Sequence, residues 1–83
     1  MKITLKLFAT LSDYLPPERS YNAIALDVDA STTIGALITR FQLPPKLVHL
    51  VLVNGVYIER AQRAERILQE GDVLAMWPPV AGG

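Results

Sequence analysis

Few residues of this chain are of a type that performs covalent chemistry, and they are scattered. His49 is the single histidine, set between Val48 and Leu50 with no nucleophile beside it. An acid–base imidazole must lie within hydrogen-bond reach of the group it serves, so His49 reads as a packed or surface residue. Cysteine is absent, which removes thiolate nucleophiles, thiolate metal ligands and disulfides together. Asp27 and Asp29 flank Val28. A solvated strand face accounts for them better than a metal pair, and no His/Asp/Glu spacing matches a metal motif. Arg60, Arg63 and Arg66 recur at near-helical spacing. They could clamp an acidic partner or a phosphate, but a solvated charged face is the simpler reading.

What remains is the end of the sequence, Pro78-Pro79-Val80-Ala81-Gly82-Gly83. Glycine has no side chain, so a Gly-Gly end can thread a narrow channel and bring its last carbonyl to an active site. The prolines restrict the start of such a tail and lower the entropy lost on insertion. The same end could also be simple fraying, so its meaning depends on what holds it.

The chain has 83 residues and is 51% apolar, which suits one domain, residues 1–83, with a compact core. Eight basic residues balance eight acidic ones. A nucleic-acid binder needs a basic surface to neutralise phosphates, so no nucleic-acid partner is expected. Met1-Lys2-Ile3-Thr4-Leu5-Lys6 alternates charge and apolarity, unlike a signal peptide, and the apolar run Leu47–Val53 is short and broken by His49. The expectation is no membrane partner and a cytoplasmic location.

Alternation of Ile3, Leu5 and Leu7 with Lys2, Thr4 and Lys6 predicts a half-buried strand over Lys2–Phe8. Ala9–Tyr14 reads as a turn region and Pro16–Ser20 as an exposed loop. Ala23–Asp29 predicts a second strand, hairpinned to the first. Ser31-Thr32-Thr33 offers capping hydroxyls ahead of Ile34, Leu37, Ile38 and Phe41, an apolar helix face that Pro44-Pro45 should end. Leu50–Val53 and Val56–Ile58 are strands joined by a tight Asn54-Gly55 turn. Glu59–Glu70 is a loop or short helix, and Gly71-Asp72 turns into a last strand, Val73–Trp77. Proline cannot donate to a ladder, so residues 78–83 should leave the sheet as an extended, flexible C-terminal tail.

This order of hairpin, helix and three further strands resembles the β-grasp fold of ubiquitin: an α+β domain with a mixed sheet of about five strands on one main helix. Gly71-Asp72-Val73-Leu74-Ala75-Met76-Trp77-Pro78-Pro79-Val80-Ala81-Gly82-Gly83 looks like the C-terminal signature of the small subunit of molybdopterin synthase. Val53-Asn54-Gly55 and Leu7-Phe8-Ala9 fit that family too. Arg60–Glu65 ahead of Ile67–Asp72 is more like the sulfur carrier of thiamine biosynthesis, and Leu11-Ser12-Asp13 stands where molybdopterin synthase small subunits commonly have an Arg-Glu pair.

The resemblance implies a sulfur carrier that is not itself an enzyme. Gly83, preceded by Gly82, would be adenylated by a ubiquitin-activating-type adenylyltransferase that uses ATP. A sulfur donor protein would convert it to a thiocarboxylate, to be consumed in the molybdopterin synthase large subunit or, in the thiamine alternative, in a thiazole synthase. A ubiquitin-like modifier, joined to lysines through Gly83, is the reading from another class. No cofactor is expected to bind stably, and no metal. Alternation puts Phe8 opposite the core. By analogy with ubiquitin-like sheets, Leu52, Tyr57 and Trp77 share that outer face and, with Pro78, Pro79 and Val80, form the expected partner-binding surface.

Overall fold

A computed structural model describes residues 1–79 of the chain. Five strands form one sheet: β1 (Lys2–Leu7), β2 (Ala23–Asp27), β3 (Leu50–Val53), β4 (Val56–Tyr57) and β5 (Val73–Trp77). Their spatial order is β2-β1-β5-β3-β4. The central pair β1–β5 is parallel, with Leu5 beside Leu74, and the remaining pairs are antiparallel. The helix α1 (Ile34–Arg40) packs on one face of this mixed sheet. This is the β-grasp arrangement expected from the element order.

Period-two alternation places Ile3, Leu5 and Leu7 of β1, Val51 and Val53 of β3, and Leu74 and Met76 of β5 on the inner face, all buried. Ile34 and Leu37 of α1 close over them, and Leu11, Leu15, Leu43, Val48, Ile58 and Leu68 seal the rim from the loops. Ile38 and Phe41 are only partly buried against this core, so the helix presents a narrower apolar stripe than its sequence suggests.

Several boundaries differ from expectation, each for a local reason. β1 stops at Leu7 because Ala9 takes φ 51° and turns the chain into a 3₁₀ helix over Ala9–Tyr14. Phe8 still donates its N–H to the Met76 carbonyl at 3.1 Å. β2 stops at Asp27, paired with Lys2. Val28 donates to the Met1 carbonyl at 2.8 Å, and the chain then turns as Thr32 N–H reaches the Asp29 carbonyl at 3.0 Å.

α1 starts on Thr33, whose Oγ1 accepts from Ala36 N–H at 3.0 Å, a side-chain N-cap. It ends before Pro44-Pro45, not at it. Gln42 adopts φ 56°, and the N–H groups of Gln42 and Leu43 return to the Thr39 and Ile38 carbonyls, both at 3.0 Å. That pair of bonds is a Schellman closure. Asn54 (φ 51°) and Gly55 (φ 82°) are both left-handed, as a two-residue type I′ hairpin turn requires. The segment after β4 contains only a one-turn 3₁₀ helix, Arg60–Gln62. It is nonetheless tied to the start of α1: Ile34 and Gly35 N–H donate to the Arg66 and Arg63 carbonyls at 3.0 and 2.9 Å. Among the described residues no helix is long and apolar enough to cross a membrane.

Candidate functional site

The sheet face away from α1 carries the side chains that alternation assigns to it. Lys6 of β1 is in register with Ala75 of β5, Ala75 with Leu52 of β3, and Leu52 with Tyr57 of β4. One step further along the sheet Trp77 is in register with Leu50, and Phe8 flanks Trp77 on its other side. The Phe8 and Trp77 rings stack with centroids 4.2 Å apart and planes within 3° of parallel. Phe8, Leu50, Leu52 and Trp77 are half-buried, and Tyr57, on an edge strand, is 53% exposed. The four residues predicted for this face therefore lie together on it.

Leu50 and Ala75 also belong to this face and were missed. The same alternation contained them, since Leu50 is two residues from Leu52 and Ala75 two from Trp77. Lys6, in register with Ala75, sets a cation on this face. Its half-buried position keeps its stem along the sheet and its ammonium toward water.

The root of the tail lies at the Trp77 end of the patch. Trp77 remains in the sheet, its carbonyl accepting from His49 N–H at 3.0 Å. Pro78, expected to leave with the tail, is buried, whereas Pro79 is exposed. The departure therefore starts one residue later than expected, because Trp77 is still paired and holds the next residue against the domain. Val80, Gly82 and Gly83 lie outside the described residues. His49 itself is exposed, as are Asp27 and Asp29, and the described residues contain no cluster of metal-ligating side chains.

The foot of β5 is fixed by two side chains. Asp72, 7% exposed, accepts from Asn54 Nδ2 at 2.9 Å and from Gln69 N–H at 2.8 Å, one bond to each oxygen. Asn54 Oδ1 accepts from Val73 N–H at 2.8 Å. Gly71 takes φ 82°, a conformation that glycine adopts without strain. The Gly-Asp and Asn-Gly pairs are thus two halves of one clasp that sets the strand leading to Trp77.

Arg63 corrects the sequence reading. It is not on a solvated face but only 6% exposed. Its Nε, Nη1 and Nη2 donate to the carbonyls of Ile58, Val48 and His49 at 3.1, 3.4 and 3.0 Å. Its guanidinium carbon also lies 5.8 Å from the Tyr57 ring centroid. Arg60 and Arg66 are exposed as expected.

The described residues form a small domain with an apolar sheet face that ends at Trp77, next to the exposed Pro79. The ThiS family matches residues 5–83. The chain belongs to the ThiS family.

Along its full length this ThiS-family chain is similar to the molybdopterin synthase sulfur carrier subunit of Drosophila yakuba, with 33% identity over 85 residues covering 100% of this chain and 92% of the relative. The crystal structure of SAMP1 from Haloferax volcanii superposes with a TM-score of 0.68 at 26% identity, covering 100% of both chains. A complex of subunits 1 and 2 of the molybdopterin-converting factor from Helicobacter pylori contains a chain that superposes with a TM-score of 0.60 at 20% identity, again over 100% of both chains. This last likeness speaks to the fold. The chain is therefore a ubiquitin-like homologue of molybdopterin synthase sulfur carrier subunits, and the resemblance read in its C-terminal motif holds at the level of family.

Proposed function

We propose that this chain carries sulfur on Gly83 and delivers it as the small subunit of a molybdopterin synthase. The observation that carries the reading is the full-length, 33% identical relative that bears this role in its name. The chemistry needs a carboxylate as a handle. A Gly83 oxygen attacks the α-phosphorus of ATP on an activating enzyme of the ubiquitin-activating type, and pyrophosphate leaves. Sulfur delivered by a donor protein at the level of hydrosulfide attacks the acyl carbon, and AMP leaves, producing the thiocarboxylate. Apart from Gly83, the chain's own residues take no part in these bond changes. They position the end: Asn54 and Asp72 clasp the foot of β5, and the Phe8–Trp77 stack offers an apolar anchor beside the tail. In this reading the large subunit covers Phe8, Leu50, Leu52, Tyr57 and Trp77 while its active site receives Val80–Gly83. The chain of similar fold in the Helicobacter pylori complex of subunits 1 and 2 supports the pairing.

Intact-mass spectrometry tests the proposal. Incubation with the activating enzyme of the same cell, ATP and sulfide should raise the mass by the difference between sulfur and oxygen. A variant lacking Gly83 should fold normally and lose ATP–pyrophosphate exchange. Undiminished exchange by that variant refutes sulfur loading at Gly83. Capture of partners from the native cell decides the pathway. A molybdopterin synthase large subunit supports this assignment, and a thiazole synthase replaces it with the thiamine role that the Arg60–Asp72 stretch resembles. The likeness to SAMP1 favours one second reading, a protein modifier, which would appear as this chain's mass added to lysines of larger proteins.

A further inference from the structure

Arg63 is a buried cation with no carboxylate partner among the described residues. All three of its hydrogen bonds go to uncharged backbone carbonyls. A guanidinium has five N–H donors, so donors remain, and carbonyl dipoles offset only part of the cost of burying a cation. The same side chain lines a cleft of about 180 Å³ whose other walls are Ile38, Pro45, Val48 and Arg60. Three of these five residues are apolar, and Arg60 is exposed. Glu59 and Glu65 are near in sequence, but neither lines the cleft. Arg60 and Arg63, one exposed and one buried, thus border a small, largely apolar hollow beside α1.

The complement of such a hollow is a carboxylate carried next to a short aliphatic group. The cleft is smaller than a typical small-molecule pocket, which holds ~300–1,000 Å³ and buries most of its ligand. The rest of the burial must come from a larger body to which the carboxylate is attached. We infer that this cleft receives an acidic side chain, flanked by an aliphatic residue, from a protein partner. Arg60 makes the contact, and Arg63 supplies a charge already desolvated and held in place, which strengthens its pull on the carboxylate. Phe8 and Trp77 do not line the cleft, so a partner gripping here holds the domain beside α1 and meets the outer face only at Tyr57, next to Arg63. The inference does not depend on what the tail carries.

Nuclear magnetic resonance titration of the full chain tests this with three probes: acetyl-Leu-Glu-amide, its glutamine counterpart and inorganic phosphate. The glutamate peptide should shift the Arg63 Nε–H and the Ile38 and Val48 methyl resonances at millimolar concentration. The glutamine peptide and phosphate should shift them far less. Arg60→Gln, which leaves the buried Arg63 bonds in place, should weaken the glutamate peptide about threefold to tenfold. Equal shifts from the glutamine peptide, stronger binding of phosphate, full affinity in Arg60→Gln, or no shift at these resonances at the highest soluble peptide concentration would each overturn the inference.

Discussion

Asp72→Ala removes the acceptor at the foot of β5. Two donors lose their partner, Asn54 Nδ2 and Gln69 N–H, now held at 2.9 and 2.8 Å. Hydrogen bonds to a charged group contribute ~1.5–3 kcal/mol each. Asn54 and Gln69 are exposed, so water replaces part of what is lost, and the expected cost is about 2–4 kcal/mol. An 83-residue domain is stable by about 4–12 kcal/mol in total. The variant should therefore melt roughly 10–25 °C below the parent. Urea unfolding followed by the fluorescence of Trp77, the only tryptophan, gives the free energy, and an unchanged m-value would show that the native and denatured states remain comparable. Asp72→Asn keeps one acceptor oxygen and should lose about half as much. Combining Asp72→Ala with Asn54→Ala in a double-mutant cycle should give a coupling of ~0.5–3 kcal/mol. A loss below about 1 kcal/mol for Asp72→Ala, or a coupling near zero, would refute the clasp.

Leu37 is 2% exposed beneath the sheet, so Leu37→Ala should cost ~2–5 kcal/mol by leaving a cavity, measured by the same unfolding assay. Gly35→Ala should destabilise by about 1–2 kcal/mol although alanine is the better helix former. A Cβ there would meet Ala64 Cα at 3.0 Å and its carbonyl oxygen at 3.3 Å, and a rise in stability would mean this contact yields. Trp77→Ala should lose ~0.5–1.5 kcal/mol of stability with the Phe8 stack, beyond the area it buries, and about 2 kcal/mol or more of affinity for a large subunit. Melting and titration calorimetry on the one variant separate the effects, and unchanged affinity in the folded protein removes Trp77 from the interface.

The parts of the fold that could be read in advance are those governed by local rules. Alternation through Leu7 was enough to send Phe8 to the outer face. Asn54-Gly55 signals a tight turn, and the hydroxyls of Ser31-Thr32-Thr33 signal the start of α1, where Thr33 is the residue that caps. The parts that could not be read depend on groups brought together by folding. Arg63 has the spacing of a solvated face. What buries it is a set of carbonyls from Val48, His49 and Ile58 that converge only once β3 and β4 have paired. Gln42 ends the helix in a conformation usually supplied by glycine, so the prolines beyond it drew the boundary too late. Pro78 carried a correct signal, that the ladder must stop, but its burial follows from the pairing of Trp77 with His49. In the candidate site, the same alternation also assigns Leu50 and Ala75 to the outer face, two residues from Leu52 and Trp77.

The parallel pairing of β1 with β5 has a consequence for how the protein is made. Leu5 meets Leu74, so the centre of the sheet joins segments separated by almost the whole chain, and closing so long a loop delays folding relative to domains built on local contacts. During synthesis β1, β2, α1, β3 and β4 emerge first, with Leu5, Leu7, Val51 and Val53 lacking the strand that belongs between β1 and β3. Only the arrival of β5 completes the interior, and β5 is also the strand that leads directly into the glycine end. A nascent chain thus cannot offer its last residues from a finished domain before translation has passed Trp77, and partners that test for the sheet face as well as the tail would engage completed molecules alone.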